Sequence, residues 1–135
     1  MAYEWHEHTS DIRVRISAST LEELFSDALH AMTELLGPEL IERCDKKTCR
    51  MSLQADDPTS LLIDFLNEAL LLTLTEKTAY LDNTLEKLTG NEISAVLSGI
   101  PYYSLRRDIK AATYHEADVK MNTGGKWETT IVFDL

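Results

Sequence analysis

Three short clusters hold the residues best suited to chemistry. The first is His6-Glu7-His8-Thr9-Ser10-Asp11, which crowds two imidazoles, two carboxylates and two hydroxyls near the start of the chain. The second is Lys110-Ala111-Ala112-Thr113-Tyr114-His115, where strand alternation puts Lys110, Ala112 and Tyr114 on one face and Ala111, Thr113 and His115 on the other. The third is the ending, Phe133-Asp134-Leu135, where the terminal carboxylate of Leu135 follows directly on the carboxylate of Asp134. Two anions so close repel unless solvent or a cation neutralises them. Were Asp11 brought alongside, three oxygen donors would converge, a set that suits a hard divalent cation such as calcium, magnesium or manganese. From chemistry alone the opening cluster reads equally as a solvated lead-in, and an exposed, fraying end is the simpler account of the terminus.

Positioning these groups falls to a handful of elements. Ile12, Val14, Ile16 and Ala18 alternate with Arg13, Arg15 and Ser17, which predicts a half-buried first strand with Asp11 at its mouth. Thr20 opens a helix with a capping box to Glu23, and Leu21, Leu24, Phe25, Ala28, Met32, Leu35 and Leu36 give it one apolar face. His30 falls on its polar side, and Gly37-Pro38 ends it. Residues 39–47 read as charged and irregular, and Cys49, Met51 and Leu53 mark a second strand. Asp56-Asp57-Pro58 starts a second helix, apolar on so many sides that it should be the most buried one, with Asp64, Asn67 and Glu68 on its polar side.

Beyond Lys77 the pattern is strand-rich: 79–81, 85–88, 93–97, 110–119 and 127–133 all read as extended. Turn signals fall at Asp82-Asn83, Gly90-Asn91, Gly99-Ile100-Pro101 and Asn122-Thr123-Gly124-Gly125, the last of them a hairpin. Strand-helix-strand-helix followed by antiparallel strands predicts an α+β fold, with two helices on one face of a mostly antiparallel sheet in a single domain spanning 1–135.

At 135 residues, 44% hydrophobic and 27% charged, the composition is that of an ordinary globular domain. No apolar run is long enough to span a membrane, and the first residues lack a signal peptide's regions, so a cytoplasmic protein is expected. Cys44 and Cys49 are too few for a disulfide framework and lack the partner pair of a zinc knuckle. With 23 acids against 13 bases the net charge is -10, which disfavours direct nucleic-acid binding and favours cations or a basic protein partner. No P-loop, dinucleotide fingerprint, nucleophile elbow or zinc-binding helix motif is present.

His8-Thr9-Ser10-Asp11-Ile12 resembles the opening motif of the archease family, Lys110-Ala111-Ala112-Thr113-Tyr114-His115 resembles its internal lysine-to-histidine block, and Phe133-Asp134-Leu135 resembles its terminal aspartate followed by one aliphatic residue. Thr20-Leu21-Glu22-Glu23-Leu24-Phe25 and the stretch from Leu61 to Glu68 match the family's two helices in order and spacing. The resemblance implies an accessory protein, not itself an enzyme, that assists an RtcB-type RNA ligase in tRNA splicing and RNA repair. Such proteins promote guanylylation of the ligase's active-site histidine and keep it turning over. It further implies a divalent metal, calcium first and magnesium or manganese next, held by Asp11, Asp134 and the terminal carboxylate of Leu135, with Lys110 and His115 as functional neighbours. Ser10 and Ile100 depart from the family's commoner residues, the latter putting any contact from its loop in doubt. Two rivals remain at this point: a metal-dependent phosphoester hydrolase with His115 as its only candidate base, and a chaperone-like module with no metal role.

Overall fold

The computed structural model describes residues 10–135. His6, Glu7, His8 and Thr9 of the opening cluster lie outside the described residues. The first strand, β1, runs over Asp11–Ala18 and alternates as expected, Arg13, Arg15 and Ser17 exposed against buried Ile16 and Ala18. Helix α1 (Leu21–Leu36) is capped by Thr20, whose hydroxyl accepts from the amide of Glu23 at 3.1 Å, and it ends on Gly37 in the left-handed region (φ 61°). Helix α2 (Pro58–Glu76) is capped by Asp57, whose carboxylate accepts from the Ser60 amide at 2.7 Å. Its C-cap is Lys77, also left-handed.

Seven further strands follow: β2 (Pro38–Leu40), β3 (Lys47–Gln54), β4 (Thr78–Leu88), β5 (Glu92–Leu105), β6 (Ala111–Thr113), β7 (Lys120–Met121) and β8 (Trp127–Asp134). They divide into two four-stranded sheets, and every pairing is antiparallel. In one sheet β8 lies between β1 and β6, with β7 also on β8; in the other β5 pairs with β2, β3 and β4. Each helix packs on strands of both sheets, α1 on β1 and β4, α2 on β4 and β6. A shared core results, with Leu24, Phe25, Met32, Phe65, Leu66 and Phe133 fully buried and the Phe25 and Phe65 rings 5.6 Å apart between centroids. No helix of the described residues is long and apolar enough to cross a membrane.

Several sequence expectations give way locally. Residues 38–40 form the short strand β2 rather than irregular chain. Asp82-Asn83 and Gly99-Ile100-Pro101 are not turns but lie inside β4 and β5. The strand expected over 110–119 stops at Thr113, because Tyr114 to Ala117 closes a turn with Glu116 at φ 61°. Helix α2 is not sealed all round: Leu71 is 54% exposed and Leu74 42%. The 122–125 hairpin forms as expected, with the Asn122 side-chain oxygen accepting from the amides of Gly124 and Lys126.

Candidate functional site

Antiparallel register sets the site. Asp11 and Asp134 are direct partners across β1 and β8, and Ala111 of β6 faces Asp134 from the other side. One residue farther out, the Leu135 amide donates to the Ser10 carbonyl at 2.7 Å. That bond makes Ser10 and Leu135 the hydrogen-bonded pair, so Asp11 and Asp134 form the neighbouring non-hydrogen-bonded pair, in which Cα atoms stand ~4.5 Å apart and side chains are closest. Both carboxylates therefore leave the same face of the sheet. The Asp11 side chain is 31% exposed and Asp134 is half-buried, so solvent screens the pair only in part. Leu135, one residue beyond Asp134, packs its side chain against the core.

The neighbouring arginines are shared with other carboxylates. Arg13 approaches Asp11 at 3.4 Å, but its Nε donates to Glu116 at 2.6 Å, and this second contact dominates in raising its pKa above the ordinary value. Arg15 pairs with Glu128 at 3.0 Å. Down this face Arg13 is thus shared between Glu116 and Asp11, Arg15 serves Glu128, and the Asp11–Asp134 rung sets two carboxylates against part of one cation. The hydrogen bond from Arg15, then that from Asn122, hold the Glu128 carboxyl below its ordinary value of 4.5. A depressed carboxyl stabilises the fold above its unfolded pKa and loses that contribution as pH falls through the folded value. Urea midpoints of Glu128→Gln should accordingly fall less than those of the parent as pH is lowered below 4.5.

The second cluster reaches the site through its backbone. The Lys110 amide donates to the Asp134 carbonyl at 2.8 Å. Asn67 of α2 grips β6 with both ends of its amide, donating to the Ala112 carbonyl at 2.9 Å and accepting from the Ala112 amide at 2.8 Å. Tyr114 donates a short bond to Asp64, which with burial raises its pKa above the ordinary phenol value. Asn67 and Asp64 thus lock the block onto α2. On the sequence they look like a solvated helix face, and only their spacing of three, one turn apart, marks them as able to serve one neighbour. Asn67→Ala should cost about 1–3 kcal/mol in urea unfolding, through two lost hydrogen bonds at a partly buried amide and carbonyl.

The structure therefore brings together Asp11, Asp134, Leu135 and the main chain of Lys110. His115 stands exposed in the turn beyond β6. Among the described residues no three His, Cys, Asp or Glu side chains converge for a metal. The two carboxylates consequently need a third donor. Their chemistry fits the expected ion: hard oxygen donors, like-charged, partly desolvated and served by one arginine that is shared with Glu116.

Comparison with known proteins agrees with this arrangement of elements. The profile of the archease protein family matches residues 3–135. The chain is 32% identical to the archease of Methanosarcina mazei over 142 residues, covering 98% of this chain and 95% of that one. It is 31% identical to the archease of Thermoplasma volcanium over 143 residues, covering both chains completely. Among solved structures it is similar to the crystal structure of an archease from Thermotoga maritima, described as a possible chaperone, with a TM-score of 0.72, 26% identity and coverage of 100% and 98%. The solution structure of protein 1598 from Methanobacterium thermoautotrophicum shares the fold, with a TM-score of 0.66. The chain belongs to the archease family.

Proposed function

We propose that this archease is an accessory activator of an RtcB-type RNA ligase, working in the cytoplasm in tRNA splicing and RNA repair. The observation that carries the reading is the Asp11–Asp134 pair, two facing carboxylates whose nearest arginine makes its shorter bond to Glu116, next to the terminal carboxylate. These three groups would hold a divalent ion, calcium first and magnesium or manganese next. When bound, it supplies a positive centre that orients phosphate oxygens.

The remaining work belongs to the chain's own residues. Glu116 takes the shorter bond of Arg13, 2.6 Å, and leaves Asp11 the longer contact at 3.4 Å. Asn67 holds β6 in place, and with it the Lys110 amide on Asp134. The net charge of -10 steers the acidic tip toward a basic, metal- and GTP-binding cleft. A hydrolase reading is less well supported, since its one candidate base, His115, stands in an exposed turn with no hydrogen-bond partner among the described residues. The test is guanylylation of the cognate ligase with labelled GTP. Catalytic amounts of the chain should accelerate it and sustain repeated turnover, and an unchanged rate would overturn the proposal.

A further inference from the structure

The surface of α2 breaks the rule that its sequence suggests. A helix this apolar should bury every leucine, yet Leu71 and Leu74 face outward at 54% and 42% exposure. They line a shallow groove of about 340 Å³ between α2 and β6, together with Asn67, Leu70, Lys110 and Ala111. Its floor is fixed, because Leu70 is buried and Asn67 ties the two walls together. The groove is continuous with the carboxylate rung: Ala111, in its wall, is the cross-strand partner of Asp134, and the Lys110 amide bonds the Asp134 carbonyl.

We infer that this groove is the anchoring site for a leucine- or phenylalanine-bearing segment of the same basic partner that receives the acidic tip. The inference rests on the proposed function and adds where affinity comes from. Specific interfaces bury ~800 Å² per partner around apolar or aromatic anchors. A rung of two carboxylates and a chain end supplies no apolar anchor, and the adjoining groove, with Leu71 and Leu74 exposed on its wall, supplies one.

Charge chooses the occupant. A second copy of the chain would bring another net charge of -10 against the first, whereas a basic partner is attracted. It also sets the direction. Glu68 lies one turn before Leu71, while Lys77 caps the helix three residues beyond Leu74. A basic residue beside the anchor therefore belongs over Glu68, and the other end of the segment over Lys77. Lys110, exposed, also lines the groove.

The experiment measures two quantities for the full-length chain with its cognate ligase: the dissociation constant, and the guanylylation rate at saturating archease. Leu71→Glu/Leu74→Glu should weaken binding at least tenfold yet reach the parent's rate at saturation. Asp11→Asn should bind within a few fold of the parent and give no stimulation. Circular dichroism, with Leu71→Gln/Leu74→Gln as the milder pair, guards against a folding defect. Unchanged binding by both leucine pairs overturns the groove and leaves the function standing. No stimulation by the parent chain instead overturns the function, and the groove with it, whereas full stimulation by Asp11→Asn overturns only the role of the carboxylate rung. A parent dimer that the leucine pairs convert to monomer overturns the basic partner in favour of a second copy.

Discussion

Asp11→Asn and Asp134→Asn should each make the metal-free protein slightly more stable while abolishing its stimulation of ligase guanylylation. The two effects have one cause. Like charges directly opposite in a non-hydrogen-bonded pair destabilise a sheet by about 0.2–1 kcal/mol, and the nearest cation, Arg13, spends its short bond on Glu116. Asparagine keeps the shape and removes the repulsion, so the urea midpoint in chelator should rise. The same change removes a charged oxygen from the proposed metal site. Calcium at a hundred times its dissociation constant should stabilise the parent by ~2.7 kcal/mol and the variants far less. Denaturation curves with and without calcium, run beside the guanylylation assay, separate the outcomes. A variant that is destabilised yet still stimulates would show that the carboxylate pair is structural.

The largest loss of stability from a single added side chain should come from Gly99→Val, about 3 kcal/mol by urea unfolding. Gly99 lies in the middle of β5 opposite Tyr80, and a Cβ there would stand 2.7 Å from the carbonyl carbon of Ala79 and 2.9 Å from the Tyr80 Cα. Both atoms are backbone, so no rotamer change relieves the overlap. Beside this close approach the register slips, Tyr80 facing Gly99 and Asp82 facing Ser98, which leaves Leu81 as the extra residue of a bulge. Gly99→Ala should show the same effect at smaller size.

Gly99 also shows where the sequence was opaque. Glycine before Ile100-Pro101 reads as a turn, because a turn and a close backbone approach both call for a residue without Cβ. Only the partner strand distinguishes them, and its identity is not local information. The same limit applies to 110–119: the alternation of Lys110 to His115 is real, but the strand ends where Tyr114 finds Asp64 and Glu116 finds Arg13, contacts 50 and 103 residues apart in sequence. What local pattern controls was legible. The Thr20 and Asp57 caps, the apolar stripe of α1, the β1 alternation and the 122–125 hairpin all follow from neighbours within one or two turns. The carboxylate rung stood between these cases. Chemistry marked Asp11 and Asp134 as acids at strand ends, the family resemblance joined them, and the β1–β8 register places them face to face.

The grip of Asn67 on β6 has a consequence for how the molecule behaves in a crowd. β6 is the outer strand on its side of β8, three residues long, and an unoccupied strand edge invites another chain to add itself. The side-chain amide of Asn67 imitates a passing peptide unit and fills the hydrogen-bonding valence of Ala112. An intruding strand would have to displace it, so the sheet is closed on this flank by one residue of a helix. The backbone of β6 is thus withheld from polymerisation while the charged corner beside it stays open to solvent.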